Sequence, residues 1–151
     1  MAATKLGKIY GIDSSNGEII WSRVLGYGWA ESAQVVPIKI YTIKTVSDGG
    51  DPEVVLVTQR RADNVCFSFR IFLFTDHQPQ GLIDTVIFHI DAMTGEDVTG
   101  RSKDDLKIEG QDIISGSLVD SFFLDHDEKM LVLLDEFLQV SFDSFVSQQD
   151  V

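Results

Sequence analysis

The chain opens on a short alternation of apolar and polar positions that predicts a β-hairpin. Ile9 to Ile12 is a β-branched and aromatic strand, Asp13-Ser-Ser-Asn-Gly17 is a polar turn, and Glu18 to Leu25 is a returning strand that carries Trp21. Asn16-Gly17 supplies residues that tolerate the positive φ of tight hairpin turns. Further strands follow. Gln34 to Val46 alternates through Val36, Ile38, Ile40 and Thr42, and tolerates Pro37 only near its start or on a sheet edge. Glu53 to Gln59 is Val-rich, and Ile113 to Leu124 and Lys129 to Leu134 repeat that order in the second half. Helix signals are poor. The Leu-rich run Met130 to Leu138 reads as strand, turn and strand, because that restores the repeat register.

The hairpin pattern recurs, as expected of a unit that cannot bury its own apolar face. Ile12-Asp13-Ser14 aligns with Ile90-Asp91-Ala92, Gly17 with Gly95, and Glu18 with Glu96. Thr99 stands where Trp21 predicts a tryptophan, and Leu138 to Ser144 is a weaker third copy with Asp143 in the aspartate position. The succession of long strand, short Val/Leu strand, aspartate strand, turn and final strand is that of a β-propeller blade. The predicted fold class is all-β: an incomplete propeller with one full four-stranded blade flanked by partial blades. Residues 1–28 form the closing hairpin of a first blade, 29–101 the full blade, and 102–151 a partial last blade. The interval from Asp13 to Asp91 exceeds the ~40–45 residues of a WD-type blade. Val65 to Gln80, rich in phenylalanine, is the candidate excess. It reads either as an extra strand or blade loop, or as a translated intron, since Val-Cys suits a GT donor and Gln80 a CAG acceptor.

Composition narrows the classes. The 151 residues, 44% hydrophobic, suffice for one domain with a real core. Twenty-four acids against twelve bases give a net charge of -12. Phosphate neutralisation needs clustered Lys and Arg, so no nucleic-acid partner is expected. The single cysteine, Cys66, leaves no intramolecular disulfide to form. Neither a secretory leader nor an apolar run of ~18 residues is visible, so no direct membrane insertion by this chain is expected.

Chemistry-bearing residues read as structural ones. His77, His89 and His126 have no metal-ligand spacing, Cys66 has no evident catalytic partner, and Asp125-His126-Asp127-Glu128 reads as a solvated turn. Asp135-Glu136 is likewise a turn, and Asp48-Gly49-Gly50-Asp51-Pro52 lacks the acid spacing of a calcium hand. No catalytic residue, cofactor site or metal site is expected. The residues singled out are the structural repeat: Asp13, Gly17 and Trp21, then Asp91 and Gly95, then Asp143. The aspartates are expected to cap turns through backbone N–H groups and the tryptophan to pack between sheets.

The arrangement Ile-Asp-x-x-x-Gly-Glu-x-x-Trp at Asp13, Gly17 and Trp21 resembles the repeat of quinoprotein-like (PQQ-type) β-propellers. Over most of the chain, Gly7 to Gly28, Val54 to Asp63, Thr85 to Asp97 and Leu133 to Val140 resemble the lumenal propeller region of fungal-type ER membrane protein complex subunit 1. That resemblance implies a non-catalytic scaffold of a transmembrane-helix insertase, with other complex subunits as partners. It implies a single-pass parent with its propellers on the lumenal side of the ER membrane, of which this chain would be a fragment. A fragment of a quinoprotein dehydrogenase is the rival reading, although a quinone would need a full ring of blades and a cation site. A bacterial outer-membrane assembly propeller fits the blade motif but not the stretches Val54–Asp63 and Leu133–Val140. Incomplete blades leave unpaired edges, so self-association is also expected.

Overall fold

The computed structural model describes residues 1–26, 33–62, 83–102, 106–126 and 129–145. The segment 65–80 therefore lies outside the described residues, with Cys66 and His77. Strands β1 (Ala2–Ala3), β2 (Lys8–Ile12) and β3 (Ile19–Leu25) open the chain. They are followed by β4 (Ala33–Lys44), a 3-10 turn at Val46–Asp48, β5 (Glu53–Ala62) and β6 (Ile83–Asp91). The second half carries β7 (Lys107–Ile108), β8 (Gln111–Ile114), β9 (Leu118–Leu124), β10 (Lys129–Asp135) and β11 (Val140–Phe145).

Three sheets result, ordered β1-β2-β3-β7, β4-β5-β6-β8 and β11-β10-β9. They pack in series through two apolar layers, as blades of a partial β-propeller. The middle sheet is buried on both faces, and its sequence shows why. Val54 and Leu56 of β5 face the first sheet with Val86, Phe88 and Ile90 of β6, against Ile9, Trp21 and Leu25. Val55 and Val57 face the third sheet with Ile87, against Leu131 and Leu133. Successive side chains in a strand point to opposite faces, so a strand covered on both sides reads as a continuous apolar run. Pro37 sits in β4, an edge strand, where the register slips between Pro37 and Lys39. That is the placement a residue without an N–H requires.

The strand pattern differs from the sequence expectation at three places. The first sheet has four strands rather than a hairpin, because β1 pairs antiparallel with β2 and the two-residue β7 pairs parallel with β3. Strands this short have no periodicity to betray them. Ile113 to Leu124 is two strands, not one. Gly116, at φ 151°, interrupts it, and β8 and β9 join different sheets. The fourth strand of the middle sheet, expected before residue 102, is Gln111–Ile114. Residues expected in the last blade thus serve all three sheets. The physical cause is Asp97. After one bridge to Ile90, its carboxylate accepts from the backbone and hydroxyl groups of both Thr99 and Ser102. The chain curls off β6 there, which leaves the edge to β8.

Polar contacts fix the third sheet to the middle one. The Tyr41 hydroxyl donates to the Ser121 carbonyl at 2.6 Å and lies 2.7 Å from the Ser121 hydroxyl. Lys39 pairs with Asp120 at 2.6 Å, and Lys129 donates to the Ile43 carbonyl. Replacing Tyr41 with Phe keeps its ring on Phe123 and removes only the hydrogen bonds. The expected cost is about 1 kcal/mol, with faster amide exchange in β9–β11 than in β5 and β6. Unchanged exchange in the third sheet would contradict this account.

Candidate functional site

Two turns of the same chemistry sit at the ends of β2 and β6. In the first, the Asp13 N–H donates to the Glu18 carbonyl, the Gly17 N–H donates to the Asp13 carbonyl, and the Asp13 carboxylate accepts from the Ser15 N–H at 2.8 Å. In the second, Asp91 bonds Glu96, Gly95 bonds Asp91, and the Asp91 carboxylate accepts from the N–H groups of Met93 and Thr94. Gly17 and Gly95 take φ 78° and 75°, a region costly for residues with a Cβ. Hydrogen bonds from the Ser15 hydroxyl and N–H hold the Asp13 carboxyl below the ordinary value.

The two turns differ in what covers them. Gly17 is exposed, and a Cβ built there meets nothing within 4 Å. Gly95 is buried under Trp21, where a Cβ would come within 2.5 Å of the ring. Gly11, opposite Trp21 on β2, also leaves room for the indole: a Cβ there would lie 2.2 Å from Nε1. The Trp21 N–H donates to the Ala92 carbonyl at 3.1 Å. Two residues on, Arg23 donates to the Thr94 carbonyl at 2.7 Å and stands 5.9 Å from the Trp21 ring. Trp21 thus locks the first sheet onto the turn of the second. Asp13 and Gly17 lie apart from this lock, whereas Trp21, Asp91 and Gly95 meet in it.

Asp143 is placed differently from the other two aspartates. It lies inside β11, opposite Leu131, and faces the middle sheet. A turn of related chemistry is built at Asp135. Its carboxylate accepts from the N–H groups of Phe137 and Gln139, and Leu138 takes the positive φ of 60°.

Between the middle and third sheets, Asp143 and Phe145 border a pocket of about 150 Å³. The facing side is Ile87 and His89 of β6 with Thr99 and Arg101 beyond it, and Glu109 and Gln111 complete it. His89 is 2.8 Å from Glu53 and meets Phe145 edge-on at 5.2 Å. Arg101 donates to the Gln111 side chain at 2.6 Å. Burial pushes the Asp143 carboxyl up, against the opposing attraction of Arg101 and His89. Sequence reasoning passed over Arg23 and Arg101, yet a signal was present: each stands two residues after the Trp21 position of its copy.

The outer face of the third sheet carries an apolar row with no covering layer among the described residues. Phe122, Val132 and Phe142 form one row across β9, β10 and β11. Phe122 is 51% and Phe142 63% exposed, and Phe137 and Leu138 project from the turn beside them. Among the described residues, no group of three or more His, Cys, Asp or Glu is placed to hold a metal ion. Nor is any helix there long and apolar enough to cross a membrane.

Three substitutions separate the contributions to the lock. Trp21→Ala is expected to cost roughly 3–5 kcal/mol. Gly17→Ala is expected to cost about 1 kcal/mol from backbone conformation alone, and Gly95→Ala clearly more. In a Trp21→Ala background the excess at Gly95 should vanish, read by denaturant unfolding; an additive cycle would refute the lock. At Asp143 the folded pKa is raised, so its penalty is present above that pKa and fades as pH falls through it. Asp143→Asn should therefore stabilise at neutral pH by under ~1 kcal/mol, since the group is half-exposed and screened. The gain should be lost on approaching the ordinary carboxylate range.

Comparison with known proteins bears on what these sheets belong to. Neither a curated protein nor a solved structure matches the chain. The family described as ER membrane protein complex subunit 1, second beta-propeller, matches residues 1–149. With nearly the whole chain covered, and with the blade-like sheets and turns in place, this protein belongs to the ER membrane protein complex subunit 1 family, within its second propeller.

Proposed function

We propose that this chain is a non-catalytic scaffold and interaction module of the ER membrane protein complex. In this role it holds other subunits on the lumenal side while transmembrane helices are inserted into the membrane. Membership of the family supports a role within a multi-subunit complex. The observation that carries the scaffold reading is the pair of uncovered ends of the sheet stack. On one end, the row Phe122, Val132 and Phe142 is left without a covering layer among the described residues. On the other, the Gly17 turn has no counterpart of the indole that covers Gly95. Ile12, Ile19 and Ile20 are exposed beside it. Among the described residues, strand β11 pairs only with β10. Exposed apolar faces and free strand edges mark surfaces that recruit partners.

The scaffold reading predicts that the tagged chain, expressed in the ER lumen, copurifies with the other subunits of the complex. Recovery without them would overturn it. The open ends also predict self-association of the isolated chain. Light scattering should give a mass that rises with concentration, and the double substitution Phe122→Glu with Phe142→Glu should hold the chain as a monomer. A wild-type chain that stays monomeric at high concentration would remove this part of the reading.

A further inference from the structure

The turn between β10 and β11 joins a tight construction to a residue that its backbone disfavours. Asp135 is buried, and its carboxylate accepts from the N–H groups of Phe137 and Gln139 at 2.9 and 2.7 Å. The Asp135 N–H donates to the Gln139 carbonyl, and the Leu138 N–H to the Asp135 carbonyl. The Glu136 N–H donates to the Ser117 carbonyl, which ties the turn to the start of β9. Within this frame Leu138 takes φ 60°, the one positive φ outside glycine among the described residues. The turns at Asp13 and Asp91 place Gly17 and Gly95 at their positive φ instead. A residue with a Cβ is strained there, so leucine costs the fold stability that glycine would not.

No packing offsets that cost. Leu138 is 74% and Phe137 71% exposed, and neither belongs to the two apolar layers that join the sheets. Strain that the surrounding structure enforces, with no gain for the fold, is characteristic of functional positions.

We propose that Phe137 and Leu138 form a rigid apolar prong that seats in an apolar recess of a partner polypeptide, with Lys or Arg at the rim of the recess. The basic rim follows from charge. The exposed side chains of Glu136 and Gln139 flank the tip, the turn from Asp135 to Gln139 holds no cation, and the whole chain carries -12. A lipid surface fits less well, because segments that dip into membranes combine their apolar residues with Lys and Arg. A second copy of the chain brings the same negative charge and is repelled. The hydrogen-bonded backbone holds both side chains out before the partner arrives, which lowers the ordering cost of binding. The prong deepens the scaffold reading by giving one partner contact its chemistry, and rests on that reading for the presence of a partner.

The test uses the tagged full chain expressed in the ER lumen, with benzoylphenylalanine in place of Phe137 as a photo-crosslinker. Illumination should give an adduct with another subunit of the complex. Leu138→Gly should raise the melting temperature, because it relieves the strained backbone, and yet lower the adduct yield at least about tenfold. A merely structural role for Leu138 predicts no such opposition. Glu136→Lys should also lower the yield, with the chain still folded, and gives a second readout independent of the strained position. Absence of an adduct, adducts with lipid or with a second copy, or an undiminished yield in either variant would each overturn the prong. Copurification reports on the scaffold role separately. Intact copurification without an adduct removes the prong alone, whereas recovery of the chain without other subunits removes both readings.

Discussion

Trp21 requires a neighbour with no side chain, and the structure is arranged around that requirement. Gly11 and Gly95 both stand against the indole, and a Cβ at either would enter the ring. The indole N–H is satisfied by the Ala92 carbonyl, so the large ring is buried without an orphaned donor. This contact sets the spacing of the first two sheets. It also makes the aspartate turn at the end of β6 part of the packing, rather than a connection on the surface.

The middle sheet depends on that spacing and passes it on. Its strands β5 and β6 present apolar side chains alternately to both neighbours, so neither face is stable without a cover. On the first side the cover is Trp21 with Ile9, Leu25 and Ile108. On the other side aliphatic contacts from Leu131 and Leu133 are joined by a polar set, in which Tyr41, Lys39 and Lys129 bond backbone and side-chain oxygens of the facing elements. Hydrogen bonds at a seam are directional where apolar contacts are not. They therefore fix the third sheet in one alignment while leaving room for the pocket beside them.

The two seams explain how a repeat can decay without losing the fold. Thr99 at the Trp21 position forfeits a ring, yet the sheets still stack because the aliphatic layer and the Tyr41 contacts hold them. Asp143 likewise keeps the place of an aspartate within a strand, facing the middle sheet, without building a turn among the described residues.

Sequence alone determined the strand-rich character, the chemistry of the Asp13 and Asp91 turns, and the central burial of β5. Those depend on neighbours close in the chain or on a period of two, and the residues report them directly. It also carried the family resemblance, through the stretches around Val54–Asp63 and Leu133–Val140. The division of Ile113–Leu124 between two sheets, the parallel pairing of β7, the departure of the chain at Asp97 and the meeting of Trp21 with Gly95 were decided only by the tertiary structure. Strand pairing exchanges backbone groups that every residue carries, so it leaves little trace in side-chain pattern. A contact between residues 21 and 95 depends on how two sheets stack, which no local pattern encodes.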